Sequence, residues 1–233
     1  MCFNSKTSLI TFVISITLSS LLLSLGIIKN QKTKILYSVV GYLIGLMQLV
    51  EYFLWKNQKC SKLVNHYFTL FIPFILFLQP VITSLFYLFL FKPIINIYVI
   101  ILLILLICYT IYEIYLLNYL NKNYILCSVP SKKNCRLMWD TDIVFYYTTF
   151  KNKLLGILFY LFYYSIIFLL FFINIKKISY NNYYGVIFLI ITWFIAHFYN
   201  FITKGKSKSY VFGSVWCFLA VFFPAICLIF DSK

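Results

Sequence analysis

The sequence predicts an all-α polytopic membrane protein, about seven transmembrane helices in one bundle, and three observations predict it. Of the 233 residues, 63% are hydrophobic and only 11% charged, with a mean hydropathy of +0.93, whereas soluble domains carry about 25% charged residues. Apolar runs long enough to cross a bilayer recur along the whole chain. The only long polar gap is the loop at residues 118–152, so residues 1–233 read as a single transmembrane domain.

The first span, residues 8–28, follows a short head, Met1 to Thr7. Its apolar core exceeds that of a signal peptide and six more spans follow, so an uncleaved first helix is expected. Ser8, Thr11, Ser15, Ser19 and Gly26 recur at helical spacing as a small-residue packing seam. Cys2 sits beside the membrane, where it is an ordinary thiol or an acylation site, though myristoylation would need Gly at that position.

The second span, 35–55, places a glutamine and a glutamate inside an apolar run. Gly41, Gly45, Gln48, Glu51, Tyr52 and Trp55 fall within an arc of roughly 120° on a helix. The two glycines let another helix approach, which puts Gln48 and Glu51 against protein. Glu51 also lies about one turn from the Trp55 end, so snorkelling to the interface is the competing reading.

The third span, 67–91, carries Gln79 and Pro80 with Thr83 and Ser84 one turn on, either a structural kink or a bend beside a polar cavity. The fourth, 94–117, has Glu113 near its far end among Tyr109, Tyr112, Tyr115 and Tyr119, at a depth similar to that of Glu51. The fifth, 154–175, is almost purely aromatic and aliphatic and reads as lipid-facing. On the sixth, 183–202, Trp193, Ala196, His197 and Asn200 share one face, where a lone histidine is more often a packing residue than a ligand. The seventh, 210–230, has Gly213, Cys217, Ala220 and Pro224 on a small-residue stripe, with Ser214 and Trp216 beside it.

Followed through seven crossings, the polar residues gather at one side of the membrane. Intramembrane ionisable groups usually face a bundle interior or a wet cavity. The candidate binding residues of such a vestibule are Gln48, Glu51, Gln79, Glu113, His197, Asn200, Ser214 and Cys217. Thirteen basic residues lie on that side against seven on the other, so positive-inside logic places the amino terminus in the cytoplasm and the carboxyl terminus opposite. Cys127 and Cys135 are then expected as free thiols.

The net charge of +15 sits in short connections between apolar spans, which points to the lipid bilayer and anionic lipid headgroups as partners and not to nucleic acid. A homo-oligomer is compatible with the sequence. No CxxC or HxxxH pattern occurs, so neither a metal nor any other cofactor is expected.

Met1-Cys2-Phe3-Asn4 followed by Ser8, Gln48-x-x-Glu51-x-x-x-Trp55, Gln79-Pro80, Leu137-x-Trp139 and Gly213-Ser214-x-Trp216-Cys217 together resemble an uncharacterised family of multi-pass membrane proteins from giant DNA viruses, which tend to begin Met-Cys-Trp-Asn. The head and the Gln-x-x-Glu-x-x-x-Trp segment are also similar to a bacterial membrane family beginning Met-Cys-Phe-Ser. The chain departs from the viral pattern at Phe3, at Phe218 and in lacking a His before Leu137. The resemblance implies a host-cell or virion membrane and no known activity.

Familiar seven-helix activities fail on residues. A retinal protein needs a lysine within the last helix, a G-protein-coupled receptor shows DRY and NPxxY, and ceramidase-like hydrolases need several histidines where this chain has two. Two classes remain beside a structural viral membrane component. One is a non-enzymatic protein whose vestibule binds or passes a small polar or cationic species, with Glu51 and Glu113 as counter-charges. The other is a membrane enzyme acting on a lipid or acyl group, with Glu51 or His197 as base and Cys2 or Cys217 as nucleophile. Spacing assigns no nucleophile, base and orienting group, so the first is preferred and the catalytic residues stay unknown.

Overall fold

The computed structural model describes residues 4–61, 63–130, 136–147, 149–174, 183–204 and 212–230. In chain order these form α1 (Ser5–Ile28), α2 (Lys32–Lys56), α3 (Leu63–Phe91), α4 (Ile97–Asn123), β1 (Val129–Pro130), β2 (Leu137–Met138), α5 (Asp140–Tyr147), α6 (Phe150–Asn174), α7 (Tyr183–Lys204), α8 (Phe212–Ala220) and α9 (Phe223–Phe230). Six stretches, namely α1 to α4, α6 and the α8–α9 pair, are long and apolar enough to cross a membrane, and α7 is apolar over Tyr184–Tyr199. The chain is an integral membrane protein built as an all-α polytopic bundle.

Asn4 caps α1, its side chain accepting the Thr7 N–H at 2.9 Å, which satisfies one of the free donors at a helix start. The expected seam of α1 is its buried face: Ser8, Thr11, Ser15, Ser19, Leu22 and Gly26. That face packs on Gly41, Gly45 and Gln48 of α2. The Ser15 hydroxyl donates to the Gly41 carbonyl at 3.0 Å, and a Cβ added at Gly41 would stand 2.3 Å from Ser19 Oγ. Between helices in lipid there is little hydrophobic drive, so close backbone approach and short polar bonds hold this pair.

On α4 the buried residues are Val99, Leu102, Leu106, Tyr109, Glu113, Leu116 and Leu120, a strict alternation of three and four that forms one seam against α3 and α6. The helix runs on to Asn123, beyond the expected end at 117, because its last turns are polar and overhang the apolar core. Glu113 is therefore ten residues, about 15 Å, from the helix end. Glu51 is five residues from the end of α2, and the difference between the two acids is the polar overhang of α4.

The fifth apolar span does not merely face lipid. Phe159, Tyr163 and Ile166 of α6 belong to the main core, since a helix that packs on α3, α4 and α5 cannot present all its faces to acyl chains. The last span is not continuous either. Pro224 has no N–H to return to Ala220, and the chain closes a tighter turn, Phe222 N to Leu219 O at 3.3 Å, before α9 begins. Below this break Pro224 and Phe223 are clamped, the first by Gly41 of α2 and the second, with Cys227, by Gly185 of α7.

The described residues of the 118–152 gap form a cap over one end of the bundle. β1 and β2 pair antiparallel, Val129 with Met138 and Pro130 with Leu137, and α5 packs on α6 and α3. Asn65 of α3 donates to the carbonyls of Asn57 (2.7 Å) and Ser128 (3.0 Å) and accepts the Ser128 N–H at 2.9 Å. His66 Nδ1 accepts the Leu126 N–H at 3.0 Å, so its Nε2 carries the proton towards Asn121 Oδ1, also at 3.0 Å. Cys60 and Cys127 form a disulfide; the expectation of a free Cys127 thiol is thus corrected, its partner being a cysteine 67 residues upstream. Cys2 and Cys135 lie outside the described residues.

Candidate functional site

Glu51 is 1% exposed, so it does not snorkel. Helical geometry turns it away from the α1 seam, under the cap and towards α8. Trp139, at the end of β2, donates its indole Nε1–H to Glu51 Oε1 at 3.3 Å. The Ser214 hydroxyl of α8 bonds the same carboxylate, and the Arg136 guanidinium lies within electrostatic reach. Arg136 is the single arginine of the chain. It is half-buried, with its guanidinium carbon 5.5 Å from the Phe218 ring centre and 6.0 Å from that of Tyr199, a separation at which an aromatic face attracts a cation. Burial pulls its pKa below the usual arginine value, opposed by Tyr199 and Glu51.

The positions of these groups interlock. A Cβ at Gly213 would fall 2.2 Å from Trp139 Cζ3, so only glycine there lets the indole lie flat on α8 and reach Glu51. Trp139, Gly213, Trp216 and Leu76, with Phe159, Tyr160, Tyr163 and Tyr164 of α6, wall a cavity of about 20 Å³, room for little more than one water. Tyr163 donates to Gln79 Oε1 at 2.9 Å and lies in electrostatic range of Cys217. The hydroxyls beside Pro80 act locally: Thr83 bonds the Gln79 carbonyl at 2.6 Å and Ser84 the Pro80 carbonyl at 2.7 Å.

Of the eight candidate residues, Glu51, Gln79, Ser214 and Cys217 thus meet around one centre. Gln48, one turn from Glu51, faces α1. Its Oε1 is 2.9 Å from the Thr11 hydroxyl, while its Nε2 has no hydrogen-bond partner among the described residues. Glu113 stands apart on the α4 seam. His197 packs edge-on against Trp193, ring centres 4.1 Å apart, and Trp193 bonds the cavity-lining Tyr164 at 2.9 Å. The side chain of Asn200 lies outside the described residues.

Sequence reasoning missed Arg136, Trp139 and Tyr163 as members of this centre. One arginine among twenty basic residues, three positions before a tryptophan, was the available signal. On the cap, burial pushes the Asp140 carboxyl above its ordinary value, opposed by the Cys127 N–H that it accepts at 2.7 Å. Comparison of the chain with family models, with curated proteins and with solved structures yields no match.

Proposed function

We propose that the centre around Glu51 binds a small cationic or polar species that enters from the capped end of the bundle. The observation that carries this reading is the place of Arg136: the chain already seats a cation of its own between a buried carboxylate and two aromatic faces. An external ammonium or guanidinium group would take the same place by exchange with Arg136, and the aromatic wall shared by Trp139, Trp216 and Tyr163 extends the electron-rich surface. The enzyme reading has less support, since the Glu51 carboxylate is engaged by Trp139, Ser214 and Arg136 and His197 packs on Trp193.

The Cys60–Cys127 bond supports an orientation with the cap and amino terminus in an oxidising compartment and the carboxyl terminus opposite, the inverse of the charge-based expectation. Arg136, one of the thirteen basic residues counted on that side, is occupied inside the protein. Some of the residues that carry the resemblance to the giant-virus membrane family, namely Glu51, Trp139, Gly213, Ser214, Trp216 and Cys217, lie around this centre, which supports reading the chain as a member acting in a host or virion membrane.

Melting of the detergent-solubilised protein in guanidinium, tetramethylammonium and potassium chlorides at constant, sub-denaturing ionic strength tests the binding. At least one of the organic cations should raise the melting temperature in the wild type and fail to do so in Glu51→Gln. Equal response of the two proteins to all three salts would remove the proposal.

A further inference from the structure

The second buried acid points to a site of its own, independent of Glu51. Glu113 occupies a seam position that apolar residues fill elsewhere on α4, and it is 1% exposed. Neither of its carboxylate oxygens has a hydrogen-bond partner among the described residues, and neither does the hydroxyl of Tyr109 one turn away. The Tyr109 ring is fixed between Phe77 of α3 and Phe159 and Phe162 of α6. Tyr112, the residue before Glu113, gives its hydroxyl to the Leu155 carbonyl, and Tyr163 gives its own to Gln79. The ionisable groups near Glu113 on its own helix and the helices packed against it are thus tyrosines, and no lysine, arginine or histidine among the described residues acts on it electrostatically.

A carboxylate in such a place has no counter-charge. It lies inside the apolar core, on the seam that α4 packs against α3 and α6, and its burial keeps the carboxyl from reaching the headgroups. Proteins retain ionisable residues at such depth mainly on proton or ion paths. We propose that Glu113 is an intramembrane proton-binding site, a carboxylic acid whose proton exchanges with bulk water through the α3–α4–α6 interface. In the exchange the O–H bond of the acid breaks, its proton passes to water, and a second proton from water restores the neutral acid, so no charge stays in the seam.

Infrared spectroscopy of the solubilised full chain at neutral pH tests this. With five acidic residues in the chain, single replacements assign each band. The carbonyl stretch of an undissociated acid should be present in the wild type, lose its main component in Glu113→Gln, keep it in Glu51→Gln, and move to lower frequency in heavy water while the protein stays folded. Should Glu113→Gln fail to fold, Glu113→Asp should shift the band instead. A wild type without the band, a band indifferent to replacement of Glu113, or one that resists deuterium until unfolding would each overturn the proposal. The last result would leave a sealed acid, which binds nothing.

Discussion

Replacing Glu51 by leucine removes the acceptor of the Trp139 indole N–H and of the Ser214 hydroxyl and leaves Arg136 without its carboxylate. An orphaned neutral donor in a core costs about 1–3 kcal/mol. Arg136 is half-buried and screened, so the loss of its electrostatic partner adds up to about 1 kcal/mol, here as in Glu51→Gln. Leucine returns part of this through added apolar contact, and a net loss of about 3 kcal/mol is expected. For a chain of this size that corresponds to a fall in melting temperature of about 6–12 °C. Glu51→Gln keeps an acceptor for Trp139 and Ser214 and should cost about 1 kcal/mol. In the Glu51→Leu background, Arg136→Met should restore stability, and a double-mutant cycle should give a coupling above about 0.5 kcal/mol. The assay is thermal unfolding of purified protein in detergent. If Glu51→Leu melts like the wild type, the carboxylate organises nothing and the reasoning for a site around it fails.

Gly213→Ala should cost about 1–3 kcal/mol by overpacking, because the added methyl meets the Trp139 ring at 2.2 Å; altered Trp fluorescence together with a lowered melting point would register both effects. Gly41→Ala, with Ser19 Oγ at 2.3 Å and Pro224 Cγ at 2.6 Å, should destabilise more than Gly45→Ala, whose nearest contact is Ser15 Oγ at 3.0 Å; an inverted order would mean that α1 and α2 pack differently. In unreduced protein Cys60 and Cys127 should resist a membrane-impermeant maleimide and react after reduction. Cys127→Ser should cost about 2 kcal/mol, the lower part of the usual range, because helices that stay inserted in the membrane already restrict the unfolded chain.

The all-helical membrane bundle was readable from composition and run length, and the packing faces of α1 and α2, though not their pairing, from small residues at helical spacing, because these depend on the periodicity of a single helix. The centre around Glu51 was only half readable. Glu51 and Ser214 stand out as polar residues in apolar runs, but Trp139 and Arg136 reach them from the cap, and no periodic signal ties a loop residue to a helix 88 positions away. Tyr163 was hidden for the opposite reason: in an aromatic span nothing local distinguishes the tyrosine that meets Gln79 from the ones that meet lipid. The end of α4 was misread, since polar residues that continue the helix beyond the apolar run were read as loop.

The break between α8 and α9 divides the last span into two parts with different packing. α9 is wedged among α1, α2 and α7, with Pro224 and Cys227 filling the spaces left by Gly41 and Gly185, whereas α8 packs on α7, α2 and the Trp139 indole of the cap. Without the Pro224 N–H, the two segments are joined by a turn in place of a continuous ladder of helical bonds. The last span is thus two separately packed units joined at Val221 and Phe222: the first carries the Ser214 contact to Glu51, and the second is held in the packing of α1, α2 and α7.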